Sequence, residues 1–234
     1  MKYKKIVGFG DSFVQGLIKE PISLTEKEMR EINFITQIGK KLNIEYENYG
    51  VRAYAQNSIA FEVIRYLQSN KPSKDTLFLI FWTGFGRINY YSDVHKRYEP
   101  MDGEVKSDIH SFSSGTDFMN LIYSNNINIR GIHSLLTSIN QPFLMSNSFL
   151  RLQDIEYINF QGIESNWITE TLFEICTGPM ETPSDYMTNH DDGRFYIKTH
   201  PNIAECGHPS IEGHKVIADK LIDYIQTNNF DISK

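Results

Sequence analysis

A serine becomes a nucleophile only when a base can take its proton and donors can hold the oxygen that turns negative. Near the start of the chain, Gly10-Asp11-Ser12 follows directly on the apolar stretch Ile6 to Phe9. A glycine, an acid and a hydroxyl after a buried strand either make a polar helix cap or set Ser12 at the strand's end to attack a carbonyl. The candidate base lies near the other end of the chain, in Glu205-Cys206-Gly207-His208-Pro209-Ser210. His208 precedes the last helical segment, where a loop can aim its ring at a sheet edge. Glu205 can accept from the ring's other nitrogen, fixing the tautomer and favouring the imidazolium formed during attack. Asp191, Asp192 or a backbone carbonyl are alternative acceptors. Asp11 reads as structural, bonding neighbouring backbone amides, and His214 as a residue that packs or bonds locally.

These pieces, in order, resemble the SGNH/GDSL hydrolase family. The resemblance rests on Gly-Asp-Ser after the first strand, Gly50 after the second, and acid-x-x-His-Pro-Ser-x-x-Gly-His from Glu205 to His214. It runs from about Gly10 to Gly213. It implies a three-layer α/β/α sandwich around a central parallel sheet, flavodoxin-like, and the hydrolysis of esters, often acyl groups on sugars or lipids. It also implies Ser12 as nucleophile, His208 as base, and the Ser12 and Gly50 amides as oxyanion donors. Two positions depart from the family pattern. Glu205 stands where aspartate is usual, one methylene longer with the same acceptor chemistry. Thr83 falls, by register, where the family has an asparagine that donates to the oxyanion. A hydroxyl can donate there with less fixed geometry, and a lost donor costs about 10²-fold or more in rate. Asn89 is a second candidate donor if its loop folds back.

His200, Glu205, Cys206, His208 and His214 cluster in sequence, but their spacing fits no zinc pattern. Neither a metal nor a cofactor is expected. Arg52, after Gly50, and Arg87, after the third strand, can meet a substrate carboxylate or sugar hydroxyls; a solvated surface position is the alternative for each.

The elements that must position these residues are legible in outline. Lys5 to Phe9 reads as a first strand and Ile44 to Glu47 as a second. Thr25 and Glu28 fit a capping box, ahead of a helix with Ile32, Ile35, Ile38 and Leu42 on one face. Asn57 or Ser58 is expected to cap another helix, with Ile59, Val63, Ile64 and Leu67 inward, broken by Pro72. Thr76 to Trp82 is continuously apolar, as in a parallel strand buried on both faces. A long helix is expected from about Thr116 to Ile139, with Phe118, Leu121, Ile122, Ile129, Ile132, Leu136 and Ile139 as its apolar positions. A fourth strand is expected at Pro142 to Asn147, and a helix near Ser165 to Ile175. Pro209 suits the first turn of a last helix, which should bury Ile211, Val216, Ile217, Leu221, Ile222 and Ile225. Strands alternating with helices argue for a parallel sheet between helical layers. Sites in such sheets form beyond the strands' carboxyl ends, where Ser12, Gly50, Thr83 and Asn147 converge.

The bulk properties bound the rest. The chain has 234 residues, 40% of them hydrophobic, and a net charge of −6. One domain spanning 1–234 is expected, with an insertion or lid at about 83–115. No basic surplus exists to neutralise phosphates, so nucleic acid is not an expected partner. Cys176 and Cys206 cannot make a disulfide framework and suit a reducing compartment. The apolar run behind Met1–Lys5 is too short for a signal-peptide core or a membrane span, which points to a cytoplasmic protein with no membrane partner. The 13 Tyr and 15 Phe read as core filling. The expected activity is serine ester hydrolysis through an acyl-enzyme. Its substrate is a small-molecule or glycan ester, with an acetylated carbohydrate favoured because the 83–115 insertion is aromatic and polar. A glycan-binding module on the same fold, or an acyltransferase, are the alternatives.

Overall fold

The computed structural model describes residues 2–17, 24–84, 89–92, 97–100, 116–149, 151, 160–179, 187–189, 195–197, 200–204 and 207–227. In chain order its elements are β1 (Lys5–Gly10), α1 (Ser12–Gln15), α2 (Glu26–Ile32), α3 (Phe34–Leu42), β2 (Glu45–Gly50), α4 (Gln56–Ser69) and β3 (Thr76–Trp82). Then come β4 (Asn89–Ser92), β5 (Arg97–Pro100), α5 (Thr116–Ser138), β6 (Phe143–Asn147), α6 (Leu172–Thr177), β7 (Met187–Asn189), β8 (Phe195–Ile197) and α7 (Ile211–Thr227).

Four strands form a parallel sheet in the order β2-β1-β3-β6. The interior place of β3 accounts for its unbroken apolar run, since all seven of its residues are buried. Side chains alternate between the faces of a strand, and two separate cores follow from that alternation. Ile6, Leu77, Leu79, Phe81 and Leu144 pack with α3, α6 and α7 on one face. Val7, Phe9, Phe78, Ile80, Trp82 and Phe143 pack with α4 and α5 on the other. The result is the three-layer α/β/α arrangement. The outer side of β6 is extended further, because Trp167 bridges to Met145 in parallel and the Ile168 N–H donates to the Met145 carbonyl at 2.8 Å.

Several local expectations change. The capping box at Thr25 and Glu28 is present, but the helix behind it is broken at Asn33. That residue adopts an extended conformation, its Oδ1 accepts from Ile35 N–H at 2.6 Å, and its amide donates to the Val14 carbonyl. A side chain that caps a new helix and ties down a distant carbonyl competes with continuing the old one. Helix α4 starts two residues earlier than a cap at Asn57 would allow; Ala55 precedes it without a side-chain cap. Ile64 is 38% exposed rather than inward. The segment near Ser165 is a single 3-10 turn, Glu164–Asn166, because Trp167 and Ile168 are drawn out along β6. Helix α6 begins only at Leu172, after a capping box of Thr171 and Glu174. Ile139 lies past the end of α5 and is 48% exposed, and Ile211 is 36% exposed at the start of α7. The side chains of Phe118 and Leu121 lie outside the described residues. Within 83–115, β4 and β5 pair antiparallel, and residues 85–88, 93–96 and 101–115 lie outside the described residues. Among the described residues no helix is long and apolar enough to cross a membrane.

Candidate active site

Ser12 is the first residue of α1, two residues beyond the carboxyl end of β1, and is 3% exposed. A helix of four residues cannot hold itself together, so its ends are held from outside. Asp11 caps the start, accepting from Phe13 N–H at 3.0 Å. The Val14 carbonyl is taken by the amides of Asn33 and Asn48, the latter at 2.8 Å. Gly50 lies against the same helix: a Cβ there would sit 2.3 Å from the Gln15 nitrogen and 2.5 Å from the Val14 carbonyl carbon. Only glycine lets β2 end so close beneath the serine's turn.

His208 meets Ser12 from the far end of the chain, with 2.8 Å between His208 Nε2 and Ser12 Oγ. When the neutral ring carries its proton on Nδ1, Nε2 is the acceptor of the serine proton. The Phe13 ring packs beside the imidazole, centroids 5.2 Å apart. The loop carrying His208 is tied at several points. The His208 carbonyl accepts from Ala204 N–H at 2.8 Å, Ile203 bridges to both His200 and Pro209, and Ser210 N–H donates to Asn202 at 2.9 Å. Ser210 Oγ accepts from Gly213 N–H at 3.1 Å and donates to the Pro201 carbonyl at 2.8 Å, so this serine, rather than Pro209, starts α7. A Cβ at Gly213 would fall 2.0 Å from the Asn202 carbonyl oxygen, so glycine is what allows the loop to lie across α7. His214 is fully buried and stacked on Phe34, and burial, with His208 adding to it, pushes its pKa down to about 3. It packs as a neutral ring. His200 takes part in the loop, its Nδ1 accepting from Asn202 N–H at 3.2 Å. Among the described residues no group of His, Cys, Asp and Glu could hold a metal ion.

Beneath the serine lies a polar floor. The Asp11 carboxylate, 1% exposed, accepts from Ser148 Oγ at 3.0 Å through Oδ1 and from Thr83 Oγ1 at 2.8 Å through Oδ2. Gln56, at the start of α4, donates to the Thr83 carbonyl at 2.5 Å. Thr83 thus stands at the expected strand end, but its single hydroxyl proton goes to Asp11 and not toward the space above Ser12. Gly50 likewise stands where expected, yet its N–H donates to Asn48 Oδ1 at 2.8 Å. The Ser12 N–H, in the first turn of α1, has no acceptor within its own helix.

Asp11 does more than bond neighbouring amides, because two of its donors come from other strands. Ser148, Gln56 and Asn48 were not singled out by sequence. The one available signal was a polar residue just after an apolar strand, as Ser148 follows β6 and Asn147, itself 1% exposed. Arg52 is exposed in the turn after β2. Ala53 beside it has φ +63, a left-handed conformation that costs a residue with a Cβ roughly 1–2 kcal/mol. Glu205, Cys206, Arg87, Asp191 and Asp192 lie outside the described residues, and Asn89 is placed only as the first residue of β4.

A parallel sheet between helical layers, with a serine after its first strand and a histidine before its last helix, defines the SGNH hydrolase fold. Comparison with known proteins agrees. No protein-family model and no curated protein matches the sequence, but solved structures do. One is a lipolytic protein of the G-D-S-L family from Desulfitobacterium hafniense, at 14% identity and TM-score 0.53, covering 93% of this chain and 97% of that one. Another is an acetylxylan esterase from Geobacillus stearothermophilus, at 12% identity and TM-score 0.52, covering 100% of this chain and 99% of that one. A third is a carbohydrate esterase whose active site displays divergent catalytic and non-catalytic binding functions. It is 14% identical with TM-score 0.55, over 98% of this chain and 67% of that one.

Proposed function

We propose that the protein is an SGNH-type serine ester hydrolase acting through an acyl-enzyme. The observation that carries this reading is the 2.8 Å contact between Ser12 Oγ and His208 Nε2 at the carboxyl edge of the sheet. Ser12 Oγ attacks the ester carbonyl carbon as its proton passes to Nε2. The carbonyl oxygen takes the charge and is held by the Ser12 N–H at the start of α1, with the Gly50 N–H joining it when that group turns from Asn48. The imidazolium then gives its proton to the leaving alcohol, and the C–O bond breaks to leave the acyl-serine. A water molecule, deprotonated by Nε2, attacks the same carbon; the acid departs and Ser12 recovers its proton. Glu205 is the proposed acceptor for His208 Nδ1–H. Arg52 and Arg87 are proposed substrate contacts.

An acetylated carbohydrate is the proposed substrate. Support comes from the fold shared with an acetylxylan esterase and a carbohydrate esterase, and from the tyrosines of β4 and β5 in the insertion. The test is hydrolysis of p-nitrophenyl acetate beside a Ser12→Ala control, followed by acetate release from acetylated xylo-oligosaccharides. Turnover that disappears in Ser12→Ala supports the reading; turnover unchanged by that substitution sinks it.

A glycan-binding module without turnover is the competing reading. It is favoured by Thr83, whose hydroxyl is turned to Asp11 where the family has a donor amide. Binding of xylo-oligosaccharides with no release of acetate would select it. An acyltransferase would share the acyl-enzyme and would show itself by acetyl transfer to added sugar in place of free acetate.

A further inference from the structure

We propose that Asp11 is a positioning residue for Ser12, and that Thr83 and Ser148 serve the reaction through Asp11. This rests on the hydrolase reading above and adds a part to it. A carboxylate removed from water is costly unless donors surround it. Asp11 is 1% exposed and takes its donors from three places: Phe13 N–H in α1, Thr83 Oγ1 after β3 and Ser148 Oγ after β6. Strands β1, β3 and β6 are neighbours in the sheet. The residue immediately before the nucleophile therefore ties the ends of three adjacent strands to one another.

The donors are themselves fixed. Gln56 holds the Thr83 carbonyl at 2.5 Å. Ser148 N–H donates to the Trp82 carbonyl at 2.7 Å, and its own carbonyl accepts from Phe173 N–H at 3.0 Å. Thr83 is β-branched, which restricts its χ1 and keeps the hydroxyl aimed. An asparagine at position 11 could not accept from both hydroxyls and Phe13 N–H, because one of its two terminal atoms would be a donor. With both oxygens engaged, Asp11 cannot rock, and neither can the Ser12 backbone that follows it. That fixes two things at once: the placement of Oγ against His208 and the direction of the Ser12 N–H. The Thr83 hydroxyl thus acts from inside the scaffold, without touching the substrate oxygen.

Misplacing a reacting group by about 1 Å can cost on the order of 10²-fold in rate. The experiment measures kcat and KM for p-nitrophenyl acetate in wild type, Thr83→Val, Thr83→Ser and Ser148→Ala, per active site titrated with a fluorophosphonate, and in Ser12→Ala, which cannot be titrated, per mole of folded protein. Titration removes any loss that is merely unfolded protein. Expected is a fall in kcat of about tenfold or more in both Thr83→Val and Ser148→Ala, with KM little changed. Thr83→Ser, which restores the hydroxyl, should recover most of the rate. A kcat within twofold of wild type in Thr83→Val would overturn the proposal, as would a loss carried by KM. So would a slow Thr83→Val beside a fully active Ser148→Ala, which would place the Thr83 hydroxyl on the substrate instead. If Thr83→Val does not fold, Ser148→Ala decides by the same criterion. Wild-type turnover in Ser12→Ala would instead defeat the hydrolase reading itself.

Discussion

In the proposed mechanism Ser12 and His208 form one acid–base unit, so removing either should cost nearly as much as removing both. A fluorophosphonate should label Ser12, and mass mapping of the adduct should find no label in Ser12→Ala. Esterase activity in His208→Ala and in the double variant should be equally low; a further hundredfold drop in the double would show that the two act separately. Glu205 can be judged by charge. Glu205→Gln should lower kcat, because an amide stabilises an imidazolium less than a carboxylate does. Glu205→Asp, with the shorter side chain and the same charge, should retain much more of the activity. Equal rates in Glu205→Gln and wild type would assign His208 Nδ1 to another acceptor. That Ser12 and His208 come together was legible in sequence because each sits in a short motif of fixed order. Ser148 and Gln56 were not, since a lone polar residue beyond a strand, or at a helix start, looks the same whether or not it reaches a buried acid.

Among the elements, β3 was readable to the residue because burial on both faces leaves no polar position to blur its ends. Asn33 hid its role: within the pattern Ile32, Ile35, Ile38 it passes for one polar position on a continuous helix. In the structure it is fully buried, starts α3 and grips the carbonyl of Val14 in α1. Asn33→Ala should therefore lower stability by about 1–3 kcal/mol, from the lost cap and the loss of one of the two amides that hold the Val14 carbonyl. The urea midpoint measures this, and a shift equivalent to less than about 0.5 kcal/mol, as for an ordinary surface change, would mean that α1 is held without it. Trp167 and Ile168 were misread for the opposite reason. Their apolar character suits a helix face and a sheet edge equally, and only the neighbouring β6 strand decides between them.

For the molecule as a whole, the two cores flank the sheet, and one of them contains a titratable ring. His214 has its pKa pushed down to about 3 in the folded protein, against 6.5 for a free histidine. Between those values the unfolded chain binds a proton that the folded one refuses, so stability is full above about pH 6.5 and is lost as pH falls toward 3. From pH 7 to pH 4 this ring alone should account for a loss of about 3 kcal/mol. His214→Phe, which keeps a ring against Phe34, should flatten that part of the profile, as read from urea midpoints at the two pH values. Parallel slopes in the two proteins would remove His214 from the account.

The separation of 196 residues between Ser12 and His208 also has a consequence in time. During synthesis β1 and the Ser12 turn emerge well before the loop that carries His208 ahead of α7. That helix must then dock on α3, where Lys41 and Asp219 form an ion pair at 2.5 Å. Until it does, Ser12 lacks the ring that the proposed mechanism uses to take its proton. On the proposed mechanism the nascent chain is chemically silent toward every ester around it, and the first turnover reports that α7 has arrived.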